Sequence, residues 1–197
     1  ISIRLVGSEM CIRDRPYTMA TKNFSSIGGF GVGSTEVLNP NLELKNISAI
    51  HMVADDFSDA TNDIFITKRT TDPANNLLRL SFDGSTNTSS NTPPLGHNSV
   101  AFVKAKVFGQ EVNNNIYVLA SAFDAVITVD TNGVPTLQAN FENVIHEHLP
   151  GVETWTVTPV AFQIGSNAFF SFDVEAVSTT STVKWIGIID ITKVSTD

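Results

Sequence analysis

The chain has 197 residues and a formal net charge of −8, with no cluster of basic side chains. Nucleic acids and anionic membranes are recognised mainly by lysine and arginine, so this charge balance disfavours both as partners. The longest apolar runs, such as residues 185–189, are far too short to cross a bilayer. We therefore expect no nucleic-acid binding, no membrane insertion, and one or two domains with a buried core.

The first fifteen residues differ in origin from the rest. Residues 5–14 read LVGSEMCIRD, and the reverse-coded string CTC GTG GGC TCG GAG ATG TGT ATA AGA GAC matches the transposon-end adapter of sequencing libraries without a mismatch. We therefore expect residues 1–15 to be a translated sequencing artefact. On this interpretation the protein proper starts near Pro16, and its N-terminus lies further upstream.

Excision of that segment changes the composition. It removes Cys11, the only cysteine, and a net charge of +1, so that −8 becomes −9 for the remainder. The remainder then has no disulfide, no thiolate metal site and no cysteine nucleophile.

Residues 24–50 carry short apolar positions spread among Gly, Ser and Asn. Such a segment cannot easily close a core alone, and it gains stability by pairing with copies of itself. We therefore predict a fibre-like β segment over residues 16–96. Its last part, residues 84–96, is rich in Ser, Thr and Asn and predicts a long exposed loop that contains a domain boundary. Asp83-Gly84 is a tight-turn signal at the start of that loop.

Alternation with a period of two dominates residues 97–197 and indicates half-buried strands. Residues 123–130 and 154–162 alternate clearly, and Asn132-Gly133 marks a tight turn. Within residues 100–108 the cleaner apolar face is formed by Ala101, Val103, Ala105 and Val107, opposite Phe102, Lys104, Lys106 and Phe108. Within residues 167–177 we expect Phe170, Phe172, Val174 and Ala176 to point inward and Ser171, Asp173 and Glu175 outward. The fold class is thus all-β, an antiparallel, jelly-roll-like β-sandwich over residues 97–197.

Two stretches carry a family resemblance. Residues 31–50 contain a Gly-x-Thr-x-Val strand at Gly33, Thr35 and Val37, followed by Leu-x-Asn-Ile at Leu44, Asn46 and Ile47. Residues 181–194 contain Trp-x-Gly-x-Ile at Trp185, Gly187 and Ile189. Both resemble segments of tail-fibre and structural proteins of marine bacteriophages, where the second forms a closing core strand. Asn39-Pro40-Asn41 departs from the family's usual turn, so its geometry is expected to differ.

The resemblance implies a virion structural protein: a homotrimeric tail fibre or fibre tip with a β-sandwich head and other tail proteins as partners. In that setting a distal head contacts a host-surface glycan or an outer-membrane protein. Adhesion needs exposed polar and aromatic groups on a rigid scaffold, and the candidate loops are residues 84–96, 110–115 and 146–151. The alternative is a non-viral carbohydrate-binding or adhesin β-sandwich, and a third option is a fibre-borne glycan hydrolase.

Two groups of residues are considered as metal ligands. His146 and His148 would share a face on a strand and could hold zinc or iron, or they could lie in a polar loop. No further ligand with suitable spacing follows them. The acidic run at residues 55–63 could bind calcium or form a solvated turn, and it lacks the central glycine and terminal glutamate of a helix–loop–helix site. We expect no metal and no cofactor.

Catalytic motifs are missing from the sequence. It contains no G-x-S-x-G elbow, phosphate-binding loop or zinc-protease helix motif. The glycine-rich residues 28–33 lack the flanking strand and helix of a nucleotide site. Trp155 and Trp185 could stack on a sugar, but both lie in alternating runs and are expected in the core. We therefore predict that the chain is not an enzyme.

Overall fold

The computed structural model describes residues 30–32, 35–38, 48–54, 57–113, 116–177 and 182–195. These residues form eleven strands and no helix, so the described ranges hold no helix that could span a membrane. The strands are β1 (Phe30–Val32), β2 (Thr35–Leu38), β3 (Ala49–Ala54), β4 (Phe57–Thr71), β5 (Leu77–Arg79), β6 (Ser99–Glu111), β7 (Val118–Val129), β8 (Pro135–His148), β9 (Thr154–Ile164), β10 (Asn167–Val177) and β11 (Val183–Ser195).

The strands fall into two compact units, Ile1–Asn46 and Ile47–Asp197. In the first unit, β1 and β2 form an antiparallel pair. The predicted Gly-x-Thr-x-Val strand contributes its Thr and Val positions to β2. Its first glycine, the Leu-x-Asn-Ile motif, the Asn-Pro-Asn turn, the glycines at 28 and 29 and the predicted artefact at residues 1–15 lie outside the described residues.

The second unit is a sandwich of two antiparallel sheets, which confirms the predicted all-β sandwich. The larger sheet has the strand order β3-β4-β11-β6-β7-β8, and the smaller has the order β5-β10-β9. The described sheets, with six and three strands, differ from the eight strands and two Greek keys of a jelly roll. The unit also extends N-terminally past the boundary predicted within residues 84–96, because β4 pairs with β11 along most of its length.

The core lies between the two sheets and follows the predicted alternation. In β6, every residue of the predicted apolar face is buried and every residue of the opposite face is exposed. In β10, Phe170, Phe172 and Val174 are fully buried, and Phe172 packs against Phe123 of β7 with ring centroids 4.8 Å apart. Burial of aromatic side chains at this density is the main stabilising contribution to such a sandwich.

One residue of β10 that was predicted to point outward is covered. Ser171 is fully buried, and its hydroxyl donates to Leu80 O over 2.7 Å. The reason is that the chain around Leu80 and residues 93–95 pairs with β10 along the edge that β5 leaves open, with Phe170 N donating to Pro93 O over 3.0 Å. The period-two pattern of β10 cannot predict such pairing, because the partner residues are distant in the chain.

Candidate functional site

The two candidate metal ligands, His146 and His148, lie on β8 and not in a polar loop. Both are exposed, and the His148 ring packs edge-on against Tyr117 with centroids 5.5 Å apart. Within the part of the chain that the structure describes, no three His, Cys, Asp or Glu side chains are placed to share a metal ion. The pair alone supplies two ligands, whereas a structural zinc takes four.

The acidic run at residues 55–63 is not a solvated turn where the structure describes it. From its third residue it belongs to β4, and neighbouring side chains on a strand point to opposite faces. Asn62 Nδ2 donates to Asp190 Oδ1 over 2.6 Å on one face. On the other, the buried Asp63 carboxylate lies 3.0 Å from Lys193 Nζ. Oxygen atoms that diverge in this way cannot surround a calcium ion, and the first two aspartates lie outside the described residues.

The loop that follows Asp83 is organised around that residue's carboxylate. Asp83 Oδ1 accepts hydrogen bonds from Ser85 N over 2.9 Å, Ser85 Oγ over 2.8 Å, Ser81 Oγ over 3.1 Å and Asn91 Nδ2 over 3.0 Å. The Ser85 backbone amide, followed by its hydroxyl, lowers the pKa of Asp83 from 3.8 to about 2. Gly84 has φ of +78°, as the predicted Asp-Gly turn requires. The loop therefore has a defined shape at neutral pH.

The far end of this loop is buried, which corrects the prediction that all of residues 84–96 are exposed. Residues 91–93 and Leu95 are buried, and Leu95 N donates to Ala168 O of β10 over 3.0 Å. Asn87 Nδ2 donates to Leu80 O over 2.7 Å and fastens the middle of the loop. The exposed part is thus largely confined to residues 85–90 and rests on a buried base.

A groove of about 610 Å³ opens between this loop, β4 and β11. Three cationic side chains line it: Lys68 and Arg69 of β4 and Lys184 of β11. Arg69 Nη1 donates to Gly84 O over 2.9 Å, so the loop is tied to β4 at the groove wall. The groove therefore combines exposed positive charge with a fixed outline.

The turn between β4 and β5 supplies the opposite charge. Asp72 lines the same groove, and its Oδ1 accepts from Asn75 N over 2.8 Å and Ala74 N over 2.9 Å. These backbone hydrogen bonds lower the pKa of Asp72 below its ordinary value of 3.8. At neutral pH the groove thus holds ionised carboxylates beside its cations.

A smaller groove of about 310 Å³ adjoins the first and shares Arg69 with it. Here Arg79 binds Asp173 in a bidentate pair, with Nε to Oδ1 at 2.6 Å and Nη2 to Oδ2 at 2.9 Å. The guanidinium also lies 4.1 Å above the Phe162 ring centroid. Planar donors and acceptors held in this way can direct hydrogen bonds to a ligand rich in hydroxyl or carboxylate groups.

The two other candidate loops contribute less that can be described. Part of residues 110–115 lies outside the described residues, and in residues 146–151 the strand β8 continues to His148. Trp155 and Trp185, 4% and 1% exposed, are core residues as predicted, so neither can stack on a sugar. Residues 84–96 line both grooves, with Gly84 at the larger and Thr86 and Asn87 at the smaller.

Sequence reasoning missed the basic and acidic side chains on the groove walls. Lys68 and Arg69 lie near the end of β4, Asp72 directly follows that strand, and Lys184 is distant from them in sequence. The only local signal is the adjacent basic pair in β4, which by itself is common on exposed strands. The pairing of Lys184 with Thr70 across β11 and β4 brings the charges together.

No protein-family model and no curated protein sequence matches the chain. Among solved structures, the chain is similar to the tailspike protein gp49 of Acinetobacter baumannii bacteriophage Fri1, a capsular polysaccharide depolymerase. The two share 13% sequence identity with a TM-score of 0.42, over 76% of this chain and 20% of the tailspike. The chain thus spans about a fifth of the length of that protein.

Proposed function

We propose that this chain is a structural protein of a bacteriophage virion, a homotrimeric tail fibre or fibre tip that acts in host-surface attachment. The observation that carries the proposal is β11, which contains the Trp-x-Gly-x-Ile segment of the sequence resemblance. It lies inside the larger sheet, paired with β4 on one side and β6 on the other, and Trp185, Ile189 and Ile191 are buried. This matches the core-strand role that the resemblance implies.

Attachment is assigned to the two grooves beside residues 84–96. Their rigid walls of Arg, Lys, Asp and Asn groups suit a hydroxyl-rich surface glycan, and the buried base of the loop limits the ordering that binding would require. Removing the Arg79 guanidinium by Arg79→Met should weaken retention on host polysaccharide. The variant Arg79→Lys, which keeps the charge and loses the planar donor set, separates loss of charge from loss of geometry.

We propose further that the chain has no catalytic activity. Glycoside hydrolysis needs one carboxylic acid with a raised pKa that can protonate the leaving group. The pKa values of both aspartates that line the larger groove, Asp72 and Asp83, are lowered instead. These two aspartates thus do not suit the role of that acid. On this proposal incubation with host polysaccharide should release no oligosaccharide, and any released product would contradict it.

Two observations test the virion assignment directly. A long-read contig across the gene should show tail or capsid genes beside this reading frame, whereas a secreted-enzyme context would favour the non-viral adhesin. Sedimentation of the chain starting at Pro16 should show a trimer, and a stable monomer would remove the fibre argument.

A further inference from the structure

The six-stranded sheet has one face turned away from the smaller sheet, here called the outer face. Cross-strand pairing places Ile64, Asp190, Lys104, Asp124 and Phe141 in one row across it. The adjacent rows carry mainly Ile, Phe, Val and Lys side chains. These are the exposed residues of β4, β11 and β6, which alternate along each strand with the buried core residues. A shallow depression of about 490 Å³ lies at its centre.

This outer face is unusually apolar for a surface in contact with water. Of the described residues, ten large apolar side chains on it are between 40% and 65% exposed, among them Ile66, Phe102, Phe108, Phe141, Ile186 and Ile188. With side chains of these sizes the exposed fractions amount to roughly 800 Å². The largest apolar patch on a typical monomer is about 300–600 Å², and each partner in a standard interface contributes about 800 Å². The area is therefore that of a protein–protein interface.

The edge strand β8 presents a second uncovered surface. From Gln138 to His148 every residue is exposed, on both faces of the strand. The side opposite the outer face, here called the reverse side of β8, carries Glu142, Val144 and Glu147, which pair with core-facing positions of β7. No lysine or arginine occurs in β8. The reverse side is thus acidic and partly apolar.

The two surfaces have opposite charges. At its centre the outer face carries Lys104 and Lys106 with Asp124 and Asp190, and Lys68 and Lys184 follow where it borders the larger groove, so its net charge is positive although the chain as a whole is acidic. Among the residues that the structure describes, neither Lys106 nor Glu142 forms an ion pair. A symmetric contact of two outer faces would bring together two surfaces of the same net positive charge, which is unfavourable.

We infer that the occupant of the outer face is a second copy of this chain, whose β8 packs its reverse side onto the face. The contact is heterologous, because different surfaces of each copy meet, and such contacts form a ring when the rotation between neighbouring copies closes. Glu142 of one copy then opposes Lys106 of the next, while Val144 covers apolar surface. That the ring contains three copies rests on the proposed function.

Charge reversal in the full chain tests this pairing. Glu142→Lys and Lys106→Glu should each raise the concentration at which the oligomer dissociates by roughly tenfold or more, because each opposes like charges at the contact. The double variant should recover most of the loss. Glu175→Lys, on the outward side of β10, is the matched control and should leave assembly unchanged. Sedimentation velocity measures assembly, and far-ultraviolet circular dichroism checks that each variant keeps its strands.

The outcomes separate this inference from the proposed function. If the wild-type chain forms an oligomer that neither reversal weakens, or if the double variant fails to recover, the assigned contact is wrong while a virion role can stand. If Glu142→Lys loses assembly while Lys106→Glu keeps it, the result would indicate edge-to-edge pairing of β8. That outcome would also overturn the inferred contact. A wild-type chain that stays monomeric overturns both the contact and the trimer. The gene neighbourhood tests the virion role independently of all these results.

Discussion

Replacement of Gly109 by alanine should destabilise the sandwich through a single contact. Gly109 lies in β6 directly opposite Trp185 of β11, and the indole ring lies across its Cα. A Cβ atom added there would be 2.5 Å from Trp185 Cζ3 and 2.6 Å from Cε3. Real Cβ contacts are never this short, so the indole must move. It is 1% exposed, packs edge-on against Trp155 and donates from Nε1 to Thr71 Oγ1 over 2.9 Å.

The magnitude follows from these contacts. Overpacking a dense core costs about 1–3 kcal/mol, and a lost hydrogen bond from the displaced indole adds about 0.5–1.5 kcal/mol. Alanine offsets about 0.4–1 kcal/mol of this by restricting the unfolded chain. The free energy of unfolding should therefore fall by about 0.5–4 kcal/mol, which lowers Tm by about 2–4 °C per kcal/mol in a unit of this size.

Urea unfolding followed by tryptophan fluorescence measures this difference, since Trp155 and Trp185 are the only two tryptophans. The matched control is Gly151→Ala, where an added Cβ meets nothing within 4 Å. It should change stability by less than about 0.5 kcal/mol. Equal midpoints for Gly109→Ala and the wild-type chain, with an unchanged slope, would refute the close approach of the indole to β6.

Three further predictions concern polar groups. Ser121→Ala should leave the free energy of unfolding in urea unchanged or raise it by up to about 1 kcal/mol. The reason is that this buried hydroxyl has no hydrogen-bond partner among the described residues. A decrease of the same size would show that the hydroxyl is hydrogen-bonded. Lys193→Met should lower the free energy of unfolding by about 1–3 kcal/mol, since it removes a cation from the buried Asp63 carboxylate. The double variant Lys193→Met/Asp63→Asn, in which that position is neutral, should recover part of this loss of stability. The carboxyl carbon of Asp83 should titrate near pH 2 by NMR. Because the pKa of Asp83 in the folded chain lies below the unfolded value of 3.8, the stabilising contribution of this carboxylate is complete above pH 3.8 and is lost as the pH falls toward 2. Titration of Asp83 at 3.8 would contradict the hydrogen-bonded loop.

Local patterns were sufficient for the strands of the second half of the unit. In β6 the apolar period of two identified the core face, because a strand buried on one side exposes every second residue. In β10 it also identified the core face, although Phe169 and Ser171 on the other face are buried as well. The tight turn at Asn132-Gly133 was also predicted, and Gly133 has φ of +75°. The same reasoning was wrong at β4, whose polar residues resemble those of a solvated turn. Asn62 and Asp63 instead form a hydrogen bond and an ion pair with side chains of β11, so that these polar groups have partners within the sheet.

By itself, the sequence determined the all-β class and the core-facing residues of strands such as β6 and β10, since alternation and turn chemistry are local properties. Only the tertiary structure decided that β11 lies between β4 and β6, and this order brings Lys184 to the groove beside Arg69 and places Lys104 between two aspartates on the outer face. The physical reason is that strand order and register depend on partners distant in the chain. A period of two specifies the face that a residue occupies but not its neighbour across the sheet.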